Sequence, residues 1–407
     1  MGKIAVIGGG AAGFFAALSA KEAGKTHQVV IFEKSSKVLS KVKVSGGGRC
    51  NVTNACADIG ELSKDYPRGE RFLKKAFHEF NTTHTIQWFE ERGVPLKTYP
   101  DNCIFPVAND SRVVIDCFLH ESTRLGVEIR YSSGIDTIQS VDGKFQLNGP
   151  NVDEVVDRVI VTIGGQPKLT GLNWLANLGH MIIDPVPSLF TFNMPNETIR
   201  ELMGTVVEET TVKIEGTKLM GKGPLLITHW GMSGPAILQL SAWGARILKE
   251  KGYECKALVN WLDACNPEEL AMILAEAKES QAEKKVYNAN PFPLSNRLWK
   301  FLLDRAGIND SIKWKELGPK QQNRLVNTLL NDSYEVFGKT TFKEEFVTAG
   351  GVDLAEIDHQ SMESKIRKGI YFAGEVMDID GITGGFNFQA AWTTGYIAGK
   401  NAGISLD

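Results

Sequence analysis

The amino-acid sequence predicts an α/β fold in which a parallel-sheet domain is interrupted by an inserted β-barrel-like and helical domain. Three features indicate this: a strand, glycine-rich turn and helix at the N-terminus, alternating strand and helix patterns up to residue 187, and a return to glycine-rich α/β patterns from Val347. A chain of 407 residues suggests two or three domains. We predict one domain from 1–187 and 341–407, and an insertion from 188–340.

The composition argues against several functional classes. The net charge of −3 argues against a dedicated nucleic-acid-binding protein. The six cysteines form no CxxC pair and the seven histidines show no metal-ligand spacing, so we expect free thiols, a reducing compartment and no metal site. The apolar run Ile4–Ala20 is short for a membrane span and rich in glycine. We therefore expect a cytoplasmic protein that binds no membrane and acts on a small molecule.

The first element is a strand–turn–helix unit. Lys3–Ile7 has the pattern of a buried strand, and Ala11–Ala23 that of a helix that ends before Gly24. GGGAAG between them fits GxGxxG, the phosphate-binding turn of Rossmann-like domains, in which the helix N-terminus receives a pyrophosphate. A second predicted strand, Gln28–Phe32, is followed by Glu33, which is placed to bind a ribose hydroxyl. This pattern fits either NAD or FAD.

A basic, glycine-rich segment follows Glu33. KSSKVLSKVKVSGGGRCNVTN contains four lysines and one arginine, and no acidic residue occurs before Asp58. Such runs are often solvated surfaces, but three consecutive glycines allow neighbouring N–H groups to converge on an anion. Because the run makes a poor helix or strand, we expect it to lie along the far side of a long dinucleotide.

Together, GGGAAG, FEK and SGGGRCNVTN resemble the bacterial aminoacetone-oxidase-like FAD-binding enzymes, a group of NAD(P)/FAD-dependent oxidoreductases. VTIGG (161–165), THWGMSGPAILQLS (228–241) and YFAGEVMDIDGITGGFNFQAAWTTGYIAG (371–399) extend the resemblance over nearly the whole chain. The resemblance implies a resident FAD, with Ser45–Asn51 near its ribityl chain and flavin ring. The chain departs from the family after VTIGG, where QPKLTGLNWLANLGH replaces a serine- and glycine-rich turn that carries an acidic residue.

The last glycine turn, Gly384-Gly385, precedes a predicted helix near Phe388. That helix N-terminus would point free N–H groups at the part of the flavin that becomes negative on reduction. Motif and resemblance together place these residues at the FAD: Gly8, Gly10, Ala11, Ala12, Gly13, Glu33, Lys34, Lys41, Ser45, Gly46, Gly47, Gly48, Arg49, Cys50, Asn51, Ile135, Thr162, Ile163, Gly164, Gly374, Glu375, Gly384, Gly385, Phe386 and Asn387.

Other segments complete the predicted domains. The insertion has alternating, strand-like patterns over 188–262 and helical spacing over 263–340. In the first domain we predict a helix at Val113–Leu125, strands at Val127–Tyr131, Arg158–Ile163 and Gly369–Ala373, and a hairpin of Ile135–Val141 and Lys144–Leu147 that turns at Asp142-Gly143.

We predict an FAD-dependent oxidoreductase that either oxidises a small amine or reduces an activated double bond. An NAD-binding dehydrogenase and a flavin-containing RNA-modifying protein remain alternatives. The second glycine turn, GGQPKLTG, lacks the third glycine of GxGxxG, so we expect NAD(P)H to be at most a transient electron donor. No catalytic residue is identified: Cys50 lacks a thiol partner nearby, and His229 fits a solvated or packing histidine as well as a base.

Overall fold

The computed structural model describes residues 1–263, 265–340 and 347–406. The chain forms two compact units, Met1–Ser188 with Phe342–Asp407, and Leu189–Thr341. Of the residues that the sequence assigns to domains, Ala264, 341–346 and Asp407 lie outside the described residues. Within the described ranges, no helix combines the length and hydropathy that crossing a membrane requires.

Strands occur in both units. In chain order they are β1 (Lys3–Ile7), β2 (Gln28–Phe32), β3 (Thr53–Asn54), β4 (Leu96–Thr98), β5 (Cys103–Pro106), β6 (Glu128–Arg130), β7 (Thr137–Val141), β8 (Lys144–Gly149), β9 (Val152–Val156), β10 (Arg158–Val161), β11 (Ile182–Ser188), β12 (Thr191–Asn193), β13 (Val206–Ile214), β14 (Met220–Ile227), β15 (Gly231–Ser233), β16 (Glu254–Asn260), β17 (Asp332–Phe337), β18 (Lys339–Thr340), β19 (Val347–Val352) and β20 (Ile370–Phe372).

Helices alternate with strands in the first unit and cluster in the second. In chain order they are α1 (Ala11–Ala23), α2 (Ser40–Gly48), α3 (Ile59–Lys64), α4 (Glu70–Ala76), α5 (Thr82–Glu90), α6 (Arg112–Leu125), α7 (Asn173–Asn177), α8 (Pro235–Trp243), α9 (Ala245–Glu250), α10 (Pro267–Ser280), α11 (Asn296–Arg305), α12 (Pro319–Asn331) and α13 (Phe386–Ile404).

The first unit is built on a parallel sheet with the strand order β20-β10-β1-β2-β6. The three central strands are short apolar runs, KIAVI, QVVIF and RVIV, whose side chains are largely buried. Such runs are typical of parallel strands that are covered on both faces. This sheet confirms the predicted Rossmann-type α/β class, with β1, α1 and β2 at the predicted residues.

Helices α1 and α13 pack side by side in the same direction. β-Carbons placed on Gly395, Gly399 and Gly403 of α13 would lie 2.7, 2.1 and 2.7 Å from the carbonyl oxygens of Ala12, Ala16 and Ala20. Only glycine lets the two backbones approach this closely. Because the contacts advance together along both helices, the two helix N-termini lie at the same edge of the sheet, beyond the carboxyl ends of the strands.

Smaller elements surround this sheet. β3, β5 and β4 form one antiparallel sheet, and β7, β8 and β9 form another. The predicted hairpin is confirmed: β7 pairs with β8, and Asp142 and Gly143 have φ values of 48° and 78°, as a type I′ turn requires. Helices α3, α4 and α5 were not predicted, because these short segments have weak periodicity.

Several predicted boundaries were wrong by one or two residues. The strand predicted to reach Ile163 ends at Val161, so Thr162 and Ile163 lie in the following loop. The last helix begins at Phe386 rather than near Phe388. The other shifts are equally small and reflect fraying and capping at element ends: β6 is Glu128–Arg130, β7 begins at Thr137, α6 begins at Arg112 and β20 is Ile370–Phe372.

The second unit contains an antiparallel sheet with the order β17-β16-β13-β14-β15-β12-β18. Only Gly338 separates β17, at one edge, from β18, at the other, and Gly338 bonds to both Tyr253 and Asn193. The two edges therefore lie next to each other and the sheet curls into a barrel, as predicted. The division of this unit was predicted less well: β17 and β18 lie in the part predicted to be helical, and α8 and α9 in the part predicted to be strand-rich. Helices α10, α11 and α12 add a helical layer whose core includes the fully buried Trp299 and Trp314.

Candidate functional site

The first glycine turn joins β1 to α1. Gly8 N donates to Phe32 O at 2.8 Å, and the φ of Gly8 is +114°. A β-carbon at Gly13 would lie 1.9 Å from Gly8 O, so only glycine lets the helix start this close to the turn. A β-carbon at Gly10 would meet no atom of the described residues within 4 Å. The turn is thus closed at Gly8 and Gly13 and open at Gly10.

The start of α1 is equipped for an anion. Gly10 is its N-cap, no described side chain caps it, and its first turn, which begins with Ala11 and Ala12, contains no acidic residue. The first N–H groups of a helix have no partner within the helix, and they carry partial positive charge. Thr162 Oγ1 lies 2.9 Å from Gly8 O and fixes the turn from the β10 side.

Glu33 is held at the end of β2 by two backbone amides. One carboxylate oxygen accepts from Gly9 N at 2.9 Å and the other from Ser35 N at 2.8 Å. These bonds fix the carboxylate beside the first glycine turn and leave further lone pairs free. Lys34 is exposed, and its β-carbon packs beside Gly134, next to Ile135. The proposed role of Glu33 with a ribose fits this position and stays a prediction.

The glycine run folds as an irregular loop at the end of α2. Ser45, Gly46 and Gly47 depart from helical geometry. Gly46, Gly47, Gly48 and Cys50 have φ values of 57°, 68°, 85° and 61°. β-Carbons at Gly47 and Gly48 would meet nothing within 4 Å in the part of the chain that the structure describes, so this backbone is open there on one side. Successive amides in such a loop can form an anion-binding concavity.

Contacts on the other side order this loop. Arg49 Nε donates to Gly46 O at 3.1 Å, and its guanidinium lies 4.3 Å from the centre of the Phe105 ring. Ser111 N donates to Gly48 O at 2.9 Å, and Ser111 Oγ to Lys43 O at 2.8 Å. Arg49 is therefore engaged with its own loop and a neighbouring aromatic ring.

Asn51 and Asn54 join the glycine run to the last glycine turn. When the Asn51 amide is oriented to satisfy its neighbours, its oxygen accepts from Gly385 N at 3.1 Å and its nitrogen donates to Thr53 O at 3.0 Å. Asn54 Nδ2 donates to Gly384 O at 3.1 Å. The two glycine segments, more than 300 positions apart in sequence, thus form one continuous surface.

The last glycine turn starts α13. Gly384 and Gly385 have φ values of 128° and 91°, and a β-carbon at Gly385 would lie 2.5 Å from Thr53 O. The helix has no side-chain cap among the described residues and no acidic residue in its first turn. Asn387 braces the turn through two 2.9 Å bonds to the backbone of Gly381, and Phe386 O accepts from a buried tyrosine hydroxyl.

A second acidic residue lies at the same edge of the sheet. Glu375 Oε2 pairs with Lys41 Nζ at 2.7 Å, and Glu375 Oε1 accepts from Thr348 N at 2.8 Å. Gly374, with φ 76°, has no room for a β-carbon because Ala12 Cβ would lie 2.8 Å away. A β-carbon on Gly165, which follows Ile163 and Gly164, would lie 2.4 Å from Glu375 Oε1.

These residues fit a dinucleotide the size of FAD. Among the described residues, no side chain caps either helix N-terminus, and none stands over the backbone at Gly10, Gly47 and Gly48. Thr348 Oγ1 is buried without a hydrogen-bond partner in the described part of the chain, which is rare unless a ligand or water completes the set. A polar, glycine-lined cradle beyond the carboxyl ends of parallel strands is where such folds bind their ligands.

Some features of the site could not be read from the sequence. Thr53 donates to Gln389 Oε1, a residue 336 positions later, and Thr85 donates to the same oxygen. Gln389 is fully buried on α13. No local pattern marks such a pair, because its residues meet only after the chain has folded.

The structure shows the surroundings of Cys50 and His229, the two residues considered above as possible catalytic groups. Burial raises the pKa of the Cys50 thiol to about 12, so it is protonated at neutral pH. His229 belongs to the second unit, where its ring packs against Trp230 with centroids 4.3 Å apart. No group of three metal-ligating side chains occurs among the residues that the structure describes.

A serine, histidine and glutamate meet elsewhere in the first unit. His180 Nδ1 lies 3.1 Å from Glu356 Oε2, and His180 Nε2 lies 3.2 Å from Ser364 Oγ. Ser364 is fully buried and already accepts from the N–H groups of Ile366 and Arg367. Because a nucleophilic serine must reach a substrate, this trio is an internal brace.

Comparisons with known proteins place the chain in a family. The family model described as "HI0933-like protein Rossmann domain" matches residues 2–401. The 3-dehydro-bile acid delta(4,6)-reductase of Clostridium scindens is 27% identical, over 99% of each chain. The ribosomal RNA dihydrouridine synthase of Escherichia coli is 26% identical, over 97% of this chain and 96% of that protein. The corresponding protein of Haemophilus influenzae is 27% identical.

Solved structures share the fold. The 3-ketosteroid delta1-dehydrogenase of Sterolibacterium denitrificans gives a TM-score of 0.52 at 12% identity, with all of both chains covered. The 3-ketosteroid-delta4-(5alpha)-dehydrogenase of Rhodococcus jostii gives 0.51 at 12%, covering 99% of this chain and 96% of that one. The aminoacetone-oxidase part of the resemblance stays a prediction, whereas its broader part is confirmed. The chain belongs to the HI0933-like family and is an FAD-dependent oxidoreductase with a Rossmann-type FAD-binding domain.

Proposed function

We propose that this protein uses FAD to reduce a carbon–carbon double bond conjugated to a carbonyl group. The observation that carries the proposal is that relatives with different substrates share this chemistry. A delta(4,6)-reductase of a 3-dehydro bile acid acts on ring double bonds beside a ketone, and a dihydrouridine synthase saturates the double bond of the uracil ring. Of the two reactions considered from the sequence, we therefore favour double-bond reduction over amine oxidation.

The side chains and amides described above have defined tasks in this proposal. FAD supplies the hydride chemistry when bound. The N-terminus of α1 would hold its phosphates, and the open backbone at Gly47 and Gly48 would lie along its ribityl chain and ring. Glu33 and Glu375 would accept from its hydroxyl groups. The N-terminus of α13 would stabilise the negative charge of the reduced ring through its first N–H groups, which have no partner within the helix.

The substrate class follows from the same relatives. A small conjugated ketone is the first candidate, because a net charge of −3 does not favour an extended polyanion. Uracil within RNA is the second candidate, and the observation that favours it is that two relatives are named ribosomal RNA dihydrouridine synthases. Both substrates present a double bond next to a carbonyl, so one flavin chemistry serves either.

The electrons would come from NAD(P)H at the open face of the flavin. The glycine turn after β10, GGQPKLTG, lacks the GxGxxG spacing of a resident nicotinamide site. Nicotinamide and substrate would then use the same face in turn, which gives ping-pong kinetics. A saturable nicotinamide site occupied together with substrate in a ternary complex would contradict this part of the proposal.

The experiment is a substrate panel under nitrogen. The purified protein is supplied with NADH or NADPH and with 4-androstene-3,17-dione, a uridine-containing RNA transcript or a primary amine. We expect nicotinamide oxidation that depends on a conjugated carbonyl substrate, and a product that has gained two hydrogens by mass spectrometry. If only the amine reacts, reducing the flavin without nicotinamide, the protein is an amine oxidase and the proposal is wrong.

A further inference from the structure

A buried ion pair lies beside the last glycine turn. Arg68 contacts both carboxylate oxygens of Asp380, and Ser188 Oγ donates to the same carboxylate at 2.6 Å. The Asp380 side chain is 0% exposed and that of Arg68 is 13% exposed. These residues come from three distant parts of the chain, and neither the motifs nor the comparisons assign them a role.

The segment that carries Arg68 lies along the glycine turn. Ile382 N donates to Asp65 O at 2.9 Å, and Tyr66 Oη donates to Phe386 O at 2.7 Å. Arg68 and Asp380 also face each other in an isolated antiparallel bridge. The segment 65–69 thus contacts the turn from Asp380 to Phe386 along its whole length. The ion pair between Arg68 and Asp380 is the contact at the N-terminal end of that turn.

Stabilisation of the fold is a weak explanation for the buried ion pair between Arg68 and Asp380. Removing two charges from water is expensive, and buried ion pairs can often be replaced by apolar residues with little loss of stability. A bidentate arginine–carboxylate contact does, however, fix both distance and orientation. The geometry therefore suits a requirement for precise placement of the backbone that follows Asp380.

We propose that Arg68 and Asp380 are positioning residues that hold the last glycine turn and the α13 N-terminus against the flavin, and thereby set its reduction potential. The proposal rests on the placement of that turn at the flavin, not on the identity of the substrate. Amides held in place stabilise the negative charge of the reduced ring more than the neutral oxidised ring. Loosening the turn should therefore weaken binding of reduced FAD more than binding of oxidised FAD.

The test compares reduction potentials of variants that keep every charge. Arg68→Lys keeps the charge and loses the bidentate contact. Ser188→Ala removes one hydrogen bond to the same carboxylate and is the milder change. Arg92→Lys is the control, because Arg92 is also in the first unit, is 17% exposed, pairs with Glu121 and Glu22, and lies over the Trp88 ring. Potentials are measured by equilibration with reference dyes, alongside the melting temperature and the Kd for oxidised FAD.

We expect Arg68→Lys to lower the ratio of reduced to oxidised FAD affinity about tenfold, which for a two-electron couple is about 30 mV. Ser188→Ala should shift the potential less in the same direction, and Arg92→Lys should lower stability without moving the potential. Unchanged potentials in both test variants, or an equal shift in the control, would overturn the proposal. If Arg68→Lys does not fold, Ser188→Ala decides alone. A protein that binds FAD but reduces no conjugated substrate would refute the proposed function and leave this comparison intact.

Discussion

Replacing Gly10 by valine separates cofactor binding from folding. Gly10 is the N-cap of α1 with φ −94° and ψ −169°, and a β-carbon there would meet no atom within 4 Å among the residues described. Valine tolerates this extended backbone, so the fold loses only a favourable cap residue, about 0.5–1 kcal/mol. In a chain of this size we expect the melting temperature of the apoprotein to fall by about 2 °C or less.

FAD binding should respond far more strongly. Valine would stand where the backbone must approach the pyrophosphate. A hydrogen bond to a charged group contributes about 1.5–3 kcal/mol, so loss of two such bonds weakens binding by about 3–6 kcal/mol. Because about 1.4 kcal/mol is a tenfold change, the Kd should rise at least about 100-fold. Fluorescence titration of the apoprotein with FAD measures this directly.

Gly318→Val is the matched control. Gly318 is the N-cap of α12 in the second unit, with φ −78° and ψ 162°, and a β-carbon there would have Gln321 Oε1, at 3.9 Å, as its nearest neighbour. The same change at a second helix start should have a similar small effect on melting and none on FAD affinity. Wild-type FAD affinity in Gly10→Val, or an equal loss of FAD in the control, would refute the placement of the pyrophosphate at Gly10.

Three further predictions concern the first unit. Gly399→Ala places a β-carbon 2.1 Å from Ala16 O. We expect the free energy of unfolding in urea to fall, because overpacking costs about 1–3 kcal/mol and the gain in helix propensity is only about 1 kcal/mol. An unchanged free energy of unfolding would show that α1 and α13 pack less tightly than described. Burial raises the pKa of Asp65 to about 6, so its contribution to the free energy of unfolding should fall as the pH rises from about 4 to 6. Asp65→Asn should therefore be more stable than the wild type at pH 7–8 and equally stable at pH 4. Parallel stability profiles of the two proteins over this pH range would contradict this. The Cys50 thiol, with its pKa raised to about 12, should resist alkylation at pH 8 until unfolding, and rapid labelling in the native protein would show that it is accessible as a thiolate.

The sequence predicted the elements whose signals are local. β1, α1 and β2 were placed at the residues observed, because a buried strand, a glycine turn and a small-residue helix each have their own pattern. The hairpin at Asp142-Gly143 was also predicted correctly, because this residue pair is typical of a two-residue hairpin turn. Helices α3–α5 were missed because they are short and are held in place mainly by tertiary packing.

Features that depend on distant residues were beyond sequence reasoning. Arg68 and Asp380 are 312 positions apart, and neither belongs to a charge pattern that marks it as buried. The bond from Gly385 N to Asn51 likewise forms only when the two ends of the first unit meet. Glycine spacing pointed to both loops, whereas the polar contacts between them are a product of the fold.

A single-turnover experiment tests the central claim, reduction of a conjugated double bond, most directly. The FAD-loaded protein is reduced anaerobically with one equivalent of dithionite and mixed with 4-androstene-3,17-dione or, in a second arm, with uridine-containing RNA. We predict that the flavin absorbance returns in one arm at a rate that saturates with substrate concentration, with one saturated product formed per flavin. Reduced flavin that persists in both arms, while an amine rapidly bleaches the oxidised protein, would contradict the claim.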